Sequence, residues 1–433
     1  MIQFGDLASA QAELPKIDAN LASVRSNLFL PGWVGLSSEF VAERAHALHA
    51  LGTGKYADAE RHLRGALIAN AALIRDEASI VRNNNLPPNA LTGAGLYARQ
   101  ELSRALARQG KLVEAESEAR LTVVERLEKW GREAPETAWA IAGLADVLRE
   151  QGRFADSERL ARLAYDALDK QGIAPDSAMF VRVALLLAGA QSAQREYGRA
   201  AATYAELRRR LASNTALTEV VFERGLGWGV VALQSGDPAE ARRVFELVAA
   251  HGASFFGADH VETLLARGLS AVARRRAGDL LGGRDELVKV APQLLEGVRR
   301  AGTADESASD RDALVRLVIE ATMSAWAESG VPNAAAESFR IADAVRGRSV
   351  QRALAQSSAR AAASDAALAA LVREDQDMQK QLGGLRAALS DMLAAPNPDA
   401  AAARELRDRI ETLRVARDAT GRAIEARYPE YAE

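Results

Sequence analysis

One short phrase occurs twice in this chain, and its spacing constrains the fold more than any other feature. Gly131-Arg-Glu-Ala-Pro-Glu-Thr137 and Gly257-Ala-Asp-His-Val-Glu-Thr263 each lead into a helical pattern; their glycines, like their threonines, lie 126 residues apart, three times 42. A fixed period of this size marks a helical solenoid, because each unit is too small to bury its apolar face except against its neighbours. Such an array presents binding surface by default rather than a catalytic pocket.

The register recurs along the chain. Gly54, Tyr56, Ala59 and Ala66 set the offsets; Gly110, Leu112 and Ala115 follow, then Gly152, Phe154, Ser157 and Ala164. Arg195, Tyr197 and Ala200 come next, then Gly236, Pro238 and Ala241, a degenerate unit at 278–283, and Gly330, Pro332, Ala335 and Ala342. The Gly takes the sharp turn between two helices, where a positive φ is needed. The residue two on fills the space under the turn, and the Ala residues let two helices approach closely. Gly54 and Gly110 are 56 residues apart, so a loop is expected between them, at Asn83–Pro88.

Composition agrees with this. Apolar residues make up 48% and aromatics only 5%, with Ala and Leu dominant. Alternating strand-like runs are nearly absent, so the chain reads as all-α. The formal charge of -3, from 55 basic and 58 acidic residues, gives no global attraction to nucleic acid or anionic lipid. No apolar run approaches the ~20 residues of a membrane span. The absence of Cys excludes a thiolate nucleophile, disulfides and Cys-ligated metals. The bias of 48 Arg to 7 Lys, with the high Ala content, fits a GC-rich bacterial genome. The N-terminus lacks the basic start and apolar core of a signal peptide, so a cytoplasmic protein is expected, or a periplasmic one where such a peptide has been removed.

These units resemble tetratricopeptide repeats, the best match being Leu144, Ala145, Leu148, Gly152, Phe154 and Ala164. The usual unit is about 34 residues; spacings near 42 resemble the long-helix variant of kinesin light chains and bacterial signalling proteins. The fold this implies is a right-handed superhelical solenoid over residues 37–357, preceded by a helical segment at 1–36 that Pro15 interrupts.

Beyond the repeats, Leu368, Leu371, Met378, Leu382, Leu385, Leu389 and Met392 follow a heptad that Asp375 breaks. After 395–399 a second run has Ala403, Leu406, Ile410, Leu413 and Ile424, with Arg417 and Thr420 as weak positions. Two heptad helices joined by a short loop make an antiparallel hairpin, here at 358–427. The junction Ala336–Leu354, with Arg346-Gly-Arg348, and the closing Tyr428-Pro-Glu-Tyr431 resemble bacterial tetratricopeptide–CHAT proteins, where these phrases lead into a caspase-like protease domain. Residues 428–433 are read as the stub of that linker. The resemblance implies a non-catalytic sensor or scaffold lacking the CHAT domain, which regulates or docks to such a protease in cis or in trans. A freestanding adaptor that assembles other proteins is the alternative, and a nucleic-acid-binding regulator using the Arg clusters is a distant third.

Other chemistry is set aside. Gly52-Thr-Gly54-Lys55 lacks the first Gly and closing Ser or Thr of a phosphate loop. Gly225-Leu-Gly227-Trp-Gly229 follows no strand and reads as close packing within a helix. His46, His49 and His62 are expected to be packed or surface groups rather than a metal site, and His260 is expected to cap a helix. The runs Arg208–Arg210 and Arg274–Arg276 point in several directions from a helix and have acidic neighbours, so a solvated face is expected. No cofactor or metal is implied. What remains is the concave surface built from the first helix of each pair. Counting back from the turn glycines, its exposed positions include Tyr97, Arg104, Trp139, Asp146 and Arg182, the kinds of residue that anchor protein or peptide partners.

Overall fold

The computed structural model describes residues 7–27, 30–300, 310–329, 336, 366–394 and 399–427. Among these there are 18 helices and no strand. The inter-helix turns fall where the glycine register puts them. Gly54, Gly110, Gly152, Gly236 and Gly278 all have positive φ, and so does Arg195, which stands at the same register position without being Gly. At that one turn a side chain accepts a left-handed backbone that normally selects glycine.

Each turn joins a pair of antiparallel helices. α1 (Leu7–Ser26) packs on α2 (Gly32–Gly52), which pairs with α3 (Tyr56–Ile74). A short α4 (Glu77–Asn83) and the loop after it fill the expected insertion; α5 (Ala90–Arg108) then pairs with α6 (Leu112–Trp130). The succeeding pairs are α7 (Pro135–Glu150) with α8 (Phe154–Lys170) and α9 (Ala178–Ala193) with α10 (Tyr197–Arg210). The next first helix is split into α11 (Thr215–Phe222) and α12 (Leu226–Gln234) and pairs with α13 (Pro238–Phe256). α14 (Val261–Arg276) and α15 (Leu280–Arg300) follow, with α16 (Asp310–Ser329) laid against both. The molecule is an all-α helical-repeat solenoid. Its core runs on from pair to pair without ending in a closed centre: Leu63, Leu102 and Leu106 lie in its first part, Phe180 and Leu187 in the middle, Phe245 and Leu269 beyond.

The duplicated phrase has one structural job in both copies. Gly131 and Gly257, at φ 80° and 98°, end one unit, and the residues after them start the next. Thr137 is fully buried and donates to the Gly131 carbonyl at 2.7 Å. Thr263 is equally buried, but its hydroxyl has no partner among the described residues. His260 caps α14, its Nδ1 accepting from the Glu262 amide at 3.3 Å.

A polar staple that the sequence pattern did not reveal follows the same period. The Gln before each turn reaches back to the Glu four residues into the preceding second helix. Gln109 donates to Glu60 at 2.9 Å, Gln151 to Glu116 at 2.7 Å and Gln194 to Glu158 at 2.7 Å. A cation joins each: Lys111 on Glu60 at 2.6 Å, Arg153 on Glu116 at 3.1 Å, and Arg199 on Glu158. Apolar contact alone would let neighbouring units slide; the paired, directional bonds fix their register.

Three expectations need correction. α1 runs unbroken through Pro15. The Gly225–Gly229 stretch is not all inside one helix, since Gly225 is extended at φ −90° and separates α11 from α12. Close packing is nevertheless what these glycines permit: a Cβ on Gly227 would lie 2.6 Å from the Tyr204 hydroxyl, and one on Gly229 2.6 Å from the Phe245 ring. Third, the Arg runs are clasps as much as solvated faces. Arg208 lies over Phe222 and Trp228, Arg274 bonds Asp279 at 2.6 Å, and Arg275 bonds Glu328 at 2.6 Å.

α17 (Ala366–Ala394) and α18 (Ala400–Arg427) form the hairpin. Its seam buries Met378, Leu382, Leu389 and Ile424. The two charged misfits of the heptad meet each other: Arg417 Nε donates to Asp375 at 2.9 Å. The hairpin also folds back on the solenoid. Leu389, Leu393 and Ala403 pack on Leu121 of α6, and Arg407 pairs with Glu125 at 3.4 Å. Gly330, Pro332, Ala335 and Ala342, the Arg346–Arg348 phrase and Tyr428–Tyr431 lie outside the described residues, as does the Leu368 side chain.

Candidate functional site: the inner groove

The groove is written at helical spacing on the first helix of each pair. α5 contributes Tyr97, Glu101, Arg104 and Arg108, stepping by four, three and four residues along one face. α7 contributes Trp139, Ala142, Gly143 and Asp146, α9 Met179, Arg182 and Leu185, and α2 Arg44, Leu48 and Leu51. These residues line two clefts of about 490 and 400 Å³ that share Gln100, Arg104, Trp139, Arg182 and Leu185 and so form one continuous groove. All five sequence-chosen positions, Tyr97, Arg104, Trp139, Asp146 and Arg182, come together in its lining.

Trp139 neither stands free over the groove nor sinks into the core. It is half-buried against the core of the middle repeats, and the Arg182 guanidinium lies 5.3 Å from its ring centre. Gly143 makes room for this: a Cβ there would sit 2.7 Å from Gln100, whose amide crosses to donate to the Trp139 carbonyl at 2.9 Å. Tyr97 has a second role, since the fully buried Arg126 lies between it and Trp130, at 4.5 and 4.9 Å from the two rings.

The charges are unevenly matched. Arg44 forks onto Glu101 with bonds of 2.9 and 2.6 Å. Arg149 bonds both Asp146, at 3.1 Å, and Glu150, at 2.8 Å. Arg108 pairs with Glu150 at 3.2 Å, and Arg182 reaches Asp146 only at 3.9 Å. Arg104 has no hydrogen bond or ion pair among the described residues. Five guanidinium groups therefore share three carboxylates. Repulsion from Arg182, with burial adding to it, lowers Arg104 to about 10. Burial opposes ionisation of Asp146, but Arg149, Arg108, Arg182 and Arg104 outweigh it and hold that carboxyl well below the usual carboxylate range. Arg44, Arg108 and Arg149 were missed in the sequence, although the three-and-four spacing from Arg104 was enough to find Arg108.

Other candidates resolve differently. His46 bonds Asp18 at 2.8 Å and His62 bonds Glu43 at 2.7 Å, with their rings stacked 5.2 Å apart. No three potential ligands converge as a metal site among the described residues. No described helix is long and apolar enough to cross a membrane. A cleft of about 950 Å³ between the hairpin and the outer face, where Ile68, Val113 and Val415 are exposed, was not foreseen.

Fold and groove together define a helical-repeat protein with a charged, partly apolar inner surface. No protein-family model and no curated protein matches the chain. Among solved structures it is similar to the nearly identical TPR-like repeats of a Podosopora anserina kinesin light chain: identity is 18%, covering 47% of this chain and 97% of that one, with a TM-score of 0.37. It is also similar to a Rap protein complexed with Competence and Sporulation Factor, at 12% identity over 97% of this chain and 96% of that one, with a TM-score of 0.46.

Proposed function

We propose that this protein is a non-catalytic interaction scaffold whose inner groove holds a segment of a partner protein. The observation that carries this is the single groove in which Trp139, Met179 and Leu185 offer apolar contact between guanidinium groups in excess of their carboxylates. A half-buried Trp and clustered Arg are what anchor protein partners, and ordinary solvated surface lacks both. The resemblance of the junction and closing phrases to tetratricopeptide–CHAT proteins extends the reading: the partner bound in the groove would regulate a CHAT-type protease domain joined in cis or docked in trans. An adaptor without that protease uses the groove identically.

The test places a photo-crosslinking residue at Leu185 in the groove and, as a control, at the exposed Arg159 of α8. Partner peptides captured from the groove position alone support the scaffold reading. Equal capture at both positions refutes it. Adding the captured partner to the full gene product and following cleavage of a protein substrate then separates the protease-linked role from the adaptor.

A further inference from the structure

We infer that the partner segment is acidic, with one of its carboxylate side chains seated on Arg104 beside Trp139 and apolar neighbours resting on Leu48, Leu51 and Leu185. This rests on the scaffold reading and specifies its ligand. Each of the other guanidinium groups in the groove has a carboxylate of its own chain, and those carboxylates are used up. Glu101 is forked by Arg44, Glu150 lies between Arg108 and Arg149, and Asp146 is shared by Arg149 and Arg182. Arg104 is left facing Arg182 with no hydrogen-bonded or ion-paired carboxylate among the described residues; Asp146, already shared by Arg149 and Arg182, reaches it only through space. An unpaired cation withdrawn from bulk water is costly, and a carboxylate supplied from outside removes that cost at the moment of binding. The planar fork of Arg suits a carboxylate in particular.

The surroundings select a peptide. Leucine walls on both sides of the cationic point suit a side chain carried on a chain with apolar neighbours. A nucleic acid would bring several adjacent phosphates, whereas among the described residues of this lining Arg104 alone of the five guanidinium groups lacks a paired carboxylate.

The experiment is selection of random dodecapeptides on phage against the immobilised full chain, with Trp139→Ala as the groove-ablated control. We expect enriched peptides to carry Asp or Glu flanked by Leu, Met or Phe. Their affinity should fall roughly tenfold or more with Arg104→Gln, and equally when the peptide's own Glu is changed to Gln, the two changes together costing little more than either alone. The peptide-side change needs no protein variant, so it holds even if a substitution disturbs folding. Enrichment that depends on Trp139 but shows no acidic preference and no response to Arg104→Gln overturns the acidic ligand and leaves the scaffold standing. Displacement by inorganic phosphate at a concentration where free glutamate has no effect assigns Arg104 to phosphate and overturns the carboxylate. Selection of nothing that depends on Trp139 overturns both readings.

Discussion

Two glycines in comparable first helices should respond to the same substitution in opposite ways. A Cβ on Gly229 of α12 would fall 2.6, 3.0 and 3.1 Å from three atoms of the Phe245 ring, and that ring is fully buried. Carbon atoms prefer 3.5–4.0 Å, so the ring or the helix must yield by about 1 Å. Overpacking of this kind costs about 1–3 kcal/mol, against which the better helix propensity of Ala returns about 1 kcal/mol. Gly229→Ala should therefore destabilise, by up to about 2 kcal/mol. At Gly189 of α9 an added methyl would meet nothing within 4 Å, so Gly189→Ala should stabilise by up to about 1 kcal/mol. In a solenoid each unit contacts only its neighbours, so both effects should stay local. Hydrogen exchange followed by mass spectrometry is the assay. Peptides from 226–256 should exchange roughly tenfold faster in Gly229→Ala, while peptides from 32–74 stay unchanged. Slower exchange in Gly229→Ala, or loss of protection of equal size in both variants, would refute the reasoning.

Further outcomes concern the charges. Burial favours the neutral form of Glu60, but Lys111, Arg64 and Gln109 outweigh it and bring the carboxyl down to about 2. That lies below the ~4.3 of an unfolded Glu, so its stabilisation is complete above about pH 4.5 and is lost as pH falls toward 2. Melting temperatures taken across this window should fall less steeply in Glu60→Gln than in the native chain. Asp146→Asn should destabilise by about 1–3 kcal/mol in thermal melts, because Arg149 and Arg182 lose their shared counter-charge, whereas Arg104→Gln should melt no lower than the native chain. In the hairpin, Asp375→Leu or Arg417→Leu alone should speed exchange across 366–427, and the double substitution should restore it. A double variant as unprotected as the sum of the singles would show that the pair does not act as a unit.

Much of the fold could be read from the sequence because a solenoid repeats its physics at a fixed interval. The turn glycines and the close-packing Ala residues recur because each has the same steric job in every unit, so even Arg195 could be assigned its turn by position. The inner groove was legible for a related reason: Tyr97, Arg104, Trp139, Asp146 and Arg182 follow from counting back along a regular helix. How Arg104 differs from its neighbours was not legible, since that depends on which carboxylates the other helices bring within reach. Nor was the docking of the hairpin on α6. It is a single contact between distant segments, and nothing periodic records it. The heptad breaks at Asp375 and Arg417 were visible as defects in each helix, and only the pairing of α17 with α18 turns them into a match.

That docking also has a consequence for how the molecule is made. Arg407 and Glu125 are separated by 282 residues, and Leu121 with its apolar surroundings on α6 is covered only when residues near 389–403 arrive. At about 5–20 residues per second, the ribosome needs roughly 15–60 seconds to supply them. The early repeats can fold soon after they emerge, because their cores are local. For that interval they carry an uncovered apolar strip on the outside of a nascent chain, which chaperones or neighbouring ribosomes' products can meet first.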